Sequence, residues 1–156
     1  MRLEYFQLID RVAELSRAEA RITVHAVVPE RSTIFEGHFP GHPLMPGVLL
    51  VEAMAQTCGW LLLALDFSRM PFLARIKEAK LRTFVPPGAA LSIEGKLAHE
   101  GSGYALATAA VRHDGKAVCD AELMFRLMPF PNEDLLATMR ETAARLEVPL
   151  MAPTDG

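Results

Sequence analysis

Residues 39–65 have the sequence F-P-G-H-P-L-M-P-G-V-L-L-V-E-A-M-A-Q-T-C-G-W-L-L-L-A-L, and His38 stands directly before them. The eighteen residues 48–65 contain a single charged side chain, that of Glu52. A stretch with so few charges is either a membrane span or a helix surrounded by the rest of a soluble fold. Eighteen residues is near the lower limit for a span, and Glu52, Gln56 and Thr57 interrupt the apolar run. We therefore predict a buried helix and no membrane span.

The predicted helix begins near Pro46, because proline suits a first helical position, where its missing N–H would have had no partner. At 100° per residue one face of this helix places a carboxyl group and an amide among apolar neighbours. That face carries Val48, Leu49, Glu52, Gln56 and Gly59. A carboxyl group in apolar surroundings holds its proton more tightly, so Glu52 is a candidate proton donor. The alternative is a buried glutamate satisfied by an arginine or a backbone N–H.

A loop rich in proline and glycine, E-G-H-F-P-G-H-P-L-M-P-G, leads into this helix. Its three prolines and three glycines oppose regular structure and predict a rigid loop. His38 and His42 have the i, i+4 spacing of metal ligands on a helix, but Pro40 and Gly41 between them exclude a helix there. We therefore predict no metal site, and a fixed imidazole opposite a carboxyl group instead.

The run G-H-F-P-G-H-P-L-M-P-G-V-L-L-V-E-A-M-A-Q resembles the signature of bacterial beta-hydroxyacyl-acyl carrier protein dehydratases of the Z type. The histidine of that signature falls on His38 and its acid on Glu52, where the related A-type enzymes have aspartate. Residues 8–12 and 76–88 are also similar to the family, and the resemblance covers about residues 4–128. Ala89 departs from the family's usual aspartate, which leaves the geometry of that turn open.

The resemblance implies a dehydration that needs no cofactor, with His38 as the base and Glu52 as the acid. Gly47 matches the glycine whose backbone N–H binds the thioester carbonyl, and Val48 and Gln56 complete the predicted substrate-binding residues. Gln56 either orients the acid or a water, or is a buried amide bonded to backbone. Two other functions stay open: a hot-dog thioesterase, in which a helix carboxylate activates water, and a non-catalytic module that binds acyl carrier protein.

The resemblance also implies partners. Family members act on acyl carrier protein bearing a phosphopantetheine-linked acyl chain, and they form sites across a dimer. We therefore expect a homodimer or a trimer of dimers. Six basic residues between Ser68 and Leu97 are either a solvated strand face or a patch that docks the acidic carrier. They are Arg69, Arg75, Lys77, Lys80, Arg82 and Lys96.

Composition indicates one soluble domain in 156 residues, since 51% are hydrophobic and 22% are charged. The net charge of −3 argues against nucleic-acid binding. Glu4 and Asp10 interrupt the amino-terminal segment, which therefore does not resemble a signal peptide, and we expect a cytoplasmic protein. Cys58 and Cys119 are expected to be small buried apolar residues rather than a disulfide pair.

The rest of the chain predicts strands. Residues 20–28 alternate in polarity after a short amino-terminal helix or turn, and strand-like runs cover 72–85, 89–98, 104–113 and 116–127. One long helix followed by an antiparallel meander is an α+β arrangement. Together with the resemblance it implies the hot-dog fold for residues 1–130, an antiparallel sheet wrapped around a buried central helix.

Residues 131–156 predict an added carboxy-terminal helix with a frayed end. Asn132 is the expected N-cap, acidic residues follow in the first turn, and an apolar stripe runs through Leu135, Leu136, Met139, Ala143 and Leu146. Such a short helix must dock to be stable. We expect it to cover the outer face of the sheet rather than to gate the mouth of an acyl tunnel.

Overall fold

The computed structural model describes residues 1–151, so most of the predicted frayed end lies outside the described residues. Six strands form one antiparallel sheet in the order β1-β2-β4-β5-β6-β3. The strands are β1 Arg11–Ser16, β2 Arg21–Val27, β3 Arg69–Leu81, β4 Ala90–Gly101, β5 Tyr104–His113 and β6 Lys116–Pro129. The helices are α1 Thr33–Gly37, α2 Gly47–Leu65 and α3 Glu133–Arg145, and a 3-10 turn spans Leu3–Tyr5.

The long helix α2 begins and ends where the sequence predicted. Pro46 is its N-cap residue, and the backbone N–H of Asp66 closes its last turn on the carbonyl of Leu62. The helix is long and apolar enough to span a membrane, but 67% of its apolar window is buried inside the fold. It is therefore the core helix of a soluble domain, as predicted.

The sheet wraps around α2, which contacts every strand from β2 to β6. Gly95 of β4 lies under the helix, where an added Cβ would stand 3.1 Å from Cys58 Sγ and 3.2 Å from Ile22. The missing side chain allows α2 to lie close to the sheet. Alternate residues of β4 and β5 complete the core, among them Leu91, Ile93 and Val111. This is the α+β hot-dog fold that the resemblance implied.

The predicted strands are present, with shifted ends. The range 104–113 is unchanged, but β3 runs from Arg69 to Leu81 instead of covering 72–85. The strand ends before Val85. The carbonyl of Val85 instead accepts a hydrogen bond from Met45 N, in the loop before α2, at 2.9 Å. Pro71 is tolerated in β3 because this strand is at the edge of the sheet.

Two elements were not predicted from the sequence. Strand β1 pairs with β2 through an irregularity between Val12 and Glu14, which obscures its alternation. Helix α1 has five residues, too few for a periodic pattern, although Ser32 caps it by accepting from Ile34 N at 3.1 Å. The sequence did not decide the geometry of the turn at Ala89. In the structure Ala89 N donates to Pro86 O at 3.3 Å and closes this turn.

Helix α3 is present, and Asn132 caps it as predicted, accepting a hydrogen bond from Leu135 N at 2.8 Å. It docks through buried residues at its carboxy-terminal end, and Val12 N of β1 donates to Leu146 O at 2.8 Å. The expected docking on the outer face of the sheet is wrong. Met139 lines a cavity together with α2 and the buried Phe125, so α3 packs on the same side of the sheet as α2.

Candidate active site

The loop before α2 holds His38 in place. His38 follows α1, and the next four residues form a tight turn in which Phe39 and His42 exchange two backbone hydrogen bonds of 3.0 and 2.9 Å. Gly41 has a φ of +71°, which glycine adopts without strain. The His38–Phe39 peptide bond is cis, and the two rings stack with centroids 4.1 Å apart. The imidazole is therefore fixed by its own loop.

One hydrogen bond selects the tautomer of His38. Its Nδ1 lies 3.1 Å from the carbonyl oxygen of Leu44, and Leu44 N donates back to the His38 carbonyl at 3.0 Å. Because a carbonyl oxygen only accepts, Nδ1 carries the proton in the neutral imidazole, and the lone pair is then on Nε2. The half-buried His38 thus has the tautomer that a general base requires.

The first turn of α2 offers two unused donors. Leu49 N and Leu50 N bond to Pro46 O at 3.0 and 3.3 Å, whereas the N–H groups of Gly47 and Val48 have no acceptor within residues 1–151. They point from the positive end of the helix, where developing negative charge is stabilised. A Cβ at Gly47 would collide with the side chain of Leu81, so only glycine fits here without displacing Leu81.

His38 and Gly47 share a cavity of about 440 Å³. Its remaining wall is mainly apolar and comes from the loop, from α2 and from the end of β3 and the segment after it. The other lining residues are Phe39, Leu44, Met45, Leu50, Leu81, Arg82, Thr83 and Phe84. The imidazole of His38 and the free amide of Gly47 thus belong to one mainly apolar space.

Glu52 and Gln56 lie one helical turn apart and contact each other. Gln56 Nε2 donates to Glu52 Oε1 at 3.2 Å and to the carbonyl of Phe6 at 2.9 Å, while Leu8 N donates to Gln56 Oε1 at 3.2 Å. The amide of Gln56 is thus bonded to backbone and also donates to the carboxyl group of Glu52, and its role in orienting an acid stays a prediction. Both residues line a second cavity, of about 200 Å³.

The structure of one chain separates the predicted site into two halves. His38 and Gly47 line the larger cavity, Glu52 and Gln56 line the smaller one, and no residue of the described range 1–151 lines both. Val48 lines neither, because its side chain is 73% exposed at the start of α2. The single chain therefore does not bring His38 and Glu52 together.

The other sequence-predicted features are simpler. His42 is exposed at the tip of its turn, and residues 1–151 contain no group of three or more His, Cys, Asp or Glu side chains suited to a metal ion. Cys58 and Cys119 are buried free thiols, as predicted. Backbone groups that hold His38 and Gln56, at Leu44, Phe6 and Leu8, were not predicted, since no side-chain signal marks them.

The basic segment is partly neutralised within the chain. Arg69 pairs with Asp66 at 3.1 Å and with Glu100 at 2.7 Å, and Arg82 pairs with Asp120 at 2.6 Å. Lys77 and Lys80 are exposed on β3 and form no ion pair with any described residue. Lys96 is on β4, with β5 and β6 between it and β3. Arg75 is likewise exposed on β3 and in no ion pair with a described residue, so Arg75, Lys77 and Lys80 are the unpaired basic residues of this segment on the sheet edge.

The sequence profile of the FabA-like domain matches residues 2–122, which include both halves of the site. The chain belongs to the FabA-like family. The 3-hydroxyacyl-[acyl-carrier-protein] dehydratase FabZ of Roseiflexus castenholzii is 40% identical to it over 124 residues, covering 78% of this chain and 86% of that protein. FabZ of Ligilactobacillus salivarius is 43% identical over 122 residues, covering 77% and 86%. The predicted family is confirmed.

Solved structures resemble this FabA-like chain in fold alone. A hypothetical thioesterase of Streptococcus pneumoniae with coenzyme A superposes with a TM-score of 0.61 at 13% identity, covering 78% of this chain and 90% of that one. The conserved protein PA5202 of Pseudomonas aeruginosa gives a TM-score of 0.63 at 19% identity, covering 80% and 91%. Both matches support the hot-dog fold.

Proposed function

We propose that this FabA-like protein removes water from a 3-hydroxyacyl thioester on acyl carrier protein and forms the trans-2-enoyl thioester. The reaction belongs to fatty acid biosynthesis or to a related lipid or polyketide route. The observation that carries the proposal is the larger cavity, which is lined by both His38, with its free Nε2, and Gly47, with its unused N–H group. The FabZ proteins of about 40% identity are named as dehydratases of the same kind.

The chemistry needs a base, an acid and a site for negative charge. Nε2 of His38 takes the proton from carbon two, and the electron pair moves toward the thioester carbonyl, whose oxygen is stabilised by the Gly47 N–H. The pair then forms the double bond as the hydroxyl on carbon three departs with a proton from Glu52, which Gln56 orients. The products are the enoyl thioester and water, and proton transfer from His38 to Glu52 resets the site. The reaction requires no cofactor.

The complete site lies across a homodimer, with His38 of one protomer facing Glu52 of the partner subunit. Two observations support this arrangement. The two halves occupy separate cavities in one chain, and β3 leaves one edge of the sheet unpaired with apolar side chains exposed along it, including Phe72, Ile76 and Leu81. An edge of this kind is a template for pairing with a second strand. The homodimer acts alone or as part of a trimer of dimers.

The substrate partner is acyl carrier protein, an acidic protein that presents the acyl group on phosphopantetheine. The exposed Arg75, Lys77 and Lys80 on β3 supply the complementary charge, since Arg69 and Arg82 are already paired. This partner is consistent with a cytoplasmic location. Within residues 1–151, the one helix long and apolar enough to cross a membrane is α2, and most of it is buried in the core.

The proposal is tested by incubating the protein with 3-hydroxyacyl-acyl carrier protein and following the loss of water by mass spectrometry. We expect His38→Ala and Glu52→Gln each to lower turnover by roughly 100-fold to 10,000-fold, the usual contribution of a positioned acid or base. Circular dichroism should show both variants folded. Release of free thiol would favour the thioesterase instead, and undiminished dehydration by His38→Ala would refute the assignment of the base.

A further inference from the structure

The smaller cavity has one polar end and a long apolar remainder. Glu52 and Gln56 form the polar end, and beyond them the wall consists of apolar and aromatic groups from α2, β3, β6 and α3. These are Ala55, Gly59, Trp60, Leu63, Met70, Pro71, Leu73, Phe125 and Met139. Glu52 and Leu63 are eleven positions apart in α2, a rise of roughly 16 Å along the helix axis. An alkyl chain that starts beside the carboxyl group therefore has an apolar path along the helix.

Met139 is the one residue that α3 contributes to this wall among the described residues. The helix that carries it is held to the domain at both ends. Just before its start the ring of Phe130 packs on that of Phe67, with centroids 5.7 Å apart, and after its last turn Leu146 O accepts from Val12 N of β1 at 2.8 Å. Between these ends Arg140 lies over the ring of Phe67, 4.8 Å from its centroid. Met139 therefore stands on a docked helix and not on a loose tail.

We infer that Met139 is the end wall of the acyl site and sets the longest acyl chain that this protein accepts. The inference rests on the proposed function, because Glu52 must be the acid for the cavity to receive the acyl chain. It extends that function to a segment beyond residue 122, where the match to the family profile ends. The residue determines specificity and takes no part in the chemistry.

The physical reason is exclusion of volume in an apolar site. An acyl chain that reaches Met139 buries each of its methylene groups along the path. An acyl chain longer by one methylene must displace the thioether group of Met139 or extend out of the cavity. A single methylene in an apolar pocket changes discrimination by roughly 10-fold to 200-fold. The preference should therefore fall steeply at one chain length instead of declining gradually.

The test compares the wild type, Met139→Ala and Met139→Trp on 3-hydroxyacyl-acyl carrier proteins of graded chain length. We expect Met139→Ala to move the upper limit to longer chains, with kcat/KM for the first rejected length rising at least 10-fold, since the cavity gains the volume of the side chain. Met139→Trp should move the limit to shorter chains. The three proteins should differ least on the shortest substrates, because these do not reach residue 139.

Two matched controls separate a wall from a loss of stability. Met139→Leu conserves volume and should keep the wild-type profile. Leu135→Ala shortens an apolar side chain of α3 outside the cavity, so it should lower the melting temperature without moving the limit. If Leu135→Ala moved the limit as far as Met139→Ala, or if Met139→Ala and Met139→Trp both kept the wild-type profile, the inference would be overturned.

Binding of non-reactive acyl-pantetheine thioesters, which lack the 3-hydroxyl group, distinguishes failure of this inference from failure of the proposed function. Calorimetry should show that the wild type rejects chains which Met139→Ala binds, whether or not the protein dehydrates any substrate. Absence of dehydration at every length would refute the proposed function alone. Identical length limits for binding by the wild type and Met139→Ala would refute the wall alone.

Discussion

The side chains of the candidate site are oriented by backbone groups. The carbonyl of Leu44 fixes the tautomer of His38, and the carbonyl of Phe6 and the amide of Leu8 hold both ends of the Gln56 amide. Backbone groups stay in place when the side chain of their own residue changes. The positions of His38 and Gln56 therefore depend on the backbone paths of the loop before α2 and of the amino-terminal turn. They depend less on which side chains stand at Leu44, Phe6 and Leu8.

The two cysteines allow a test of the core at the scale of one residue. Burial raises the pKa of the Cys58 thiol to about 12, and burial, with Asp120 nearby, raises that of Cys119 to about 11. A raised pKa keeps a thiol protonated below it, so at pH 8 only about one Cys58 in 10,000 is the reactive thiolate. We expect iodoacetamide to alkylate the native protein negligibly at pH 8. The alkylation rate should rise with pH, and Cys119 should react before Cys58.

Mass spectrometry of the alkylated protein checks this expectation, with the protein unfolded in guanidinium chloride as the control. Both thiols should react rapidly there, because burial no longer raises the pKa. Rapid labelling of Cys58 in the native protein would mean that α2 separates locally from the sheet, contrary to its position in the core.

At the scale of one element, β3 combines an unpaired edge with free positive charge. Lys77 and Lys80 are opposite Glu122 and Asp120 of β6, yet Asp120 is paired with Arg82. The charges of the lysines are thus available to an acidic partner at the edge where the dimer is proposed to form. The basic segment of the sequence is therefore not one patch, because Lys96 belongs to another strand.

We expect the double change Lys77→Glu and Lys80→Glu to lower kcat/KM for carrier-linked substrate roughly 10-fold or more at low ionic strength, with a smaller loss at high salt. The reason is lost electrostatic steering of the acidic carrier. Steady-state kinetics with a pantetheine-linked substrate should be unchanged. Lys96→Glu is the control, as it reverses the charge of one lysine on β4, and it is compared with the single change Lys77→Glu as well as with the double change. Equal losses on both substrates would contradict docking and indicate damage to the strand.

At the scale of the whole molecule, the exposed apolar surface agrees with the divided site. Phe84, which lines the larger cavity, is 81% exposed, and Val48, which follows the lining residue Gly47, is 73% exposed. A second copy that pairs along β3 would cover apolar surface on this side of the molecule. The same association would bring Glu52 of the partner subunit toward His38.

Mixing the two inactive variants tests this arrangement. If the site spans two subunits, His38→Ala and Glu52→Gln should regain activity when they exchange subunits, because each mixed dimer contains one site with both native residues. The measurement is the dehydration rate after mild denaturation and refolding of the mixture. The same treatment of either variant alone is the control, and no gain in the mixture would place both residues of a site in one chain.

Several features followed from the sequence because local chemistry specifies them. Pro46 marked the start of α2, and the apolar composition of residues 48–65 marked its burial. The glycine-containing turns on either side of β5 predicted its first and last residues, and Asn132 predicted the start of α3. Proline, glycine and capping side chains act within a few residues of their own position, so their effect can be predicted without knowledge of the rest of the fold.

The tertiary structure alone decided how these parts meet. His38 and Glu52 are only fourteen positions apart, yet they line different cavities, with the start of α2 between them. Conversely, Glu52 and Met139 are separated by 87 positions and line the same cavity, although the apolar stripe of α3 indicated only that the helix must dock. Apolar burial has no direction of its own, and the surface that a helix covers depends on which apolar surface the sheet leaves open.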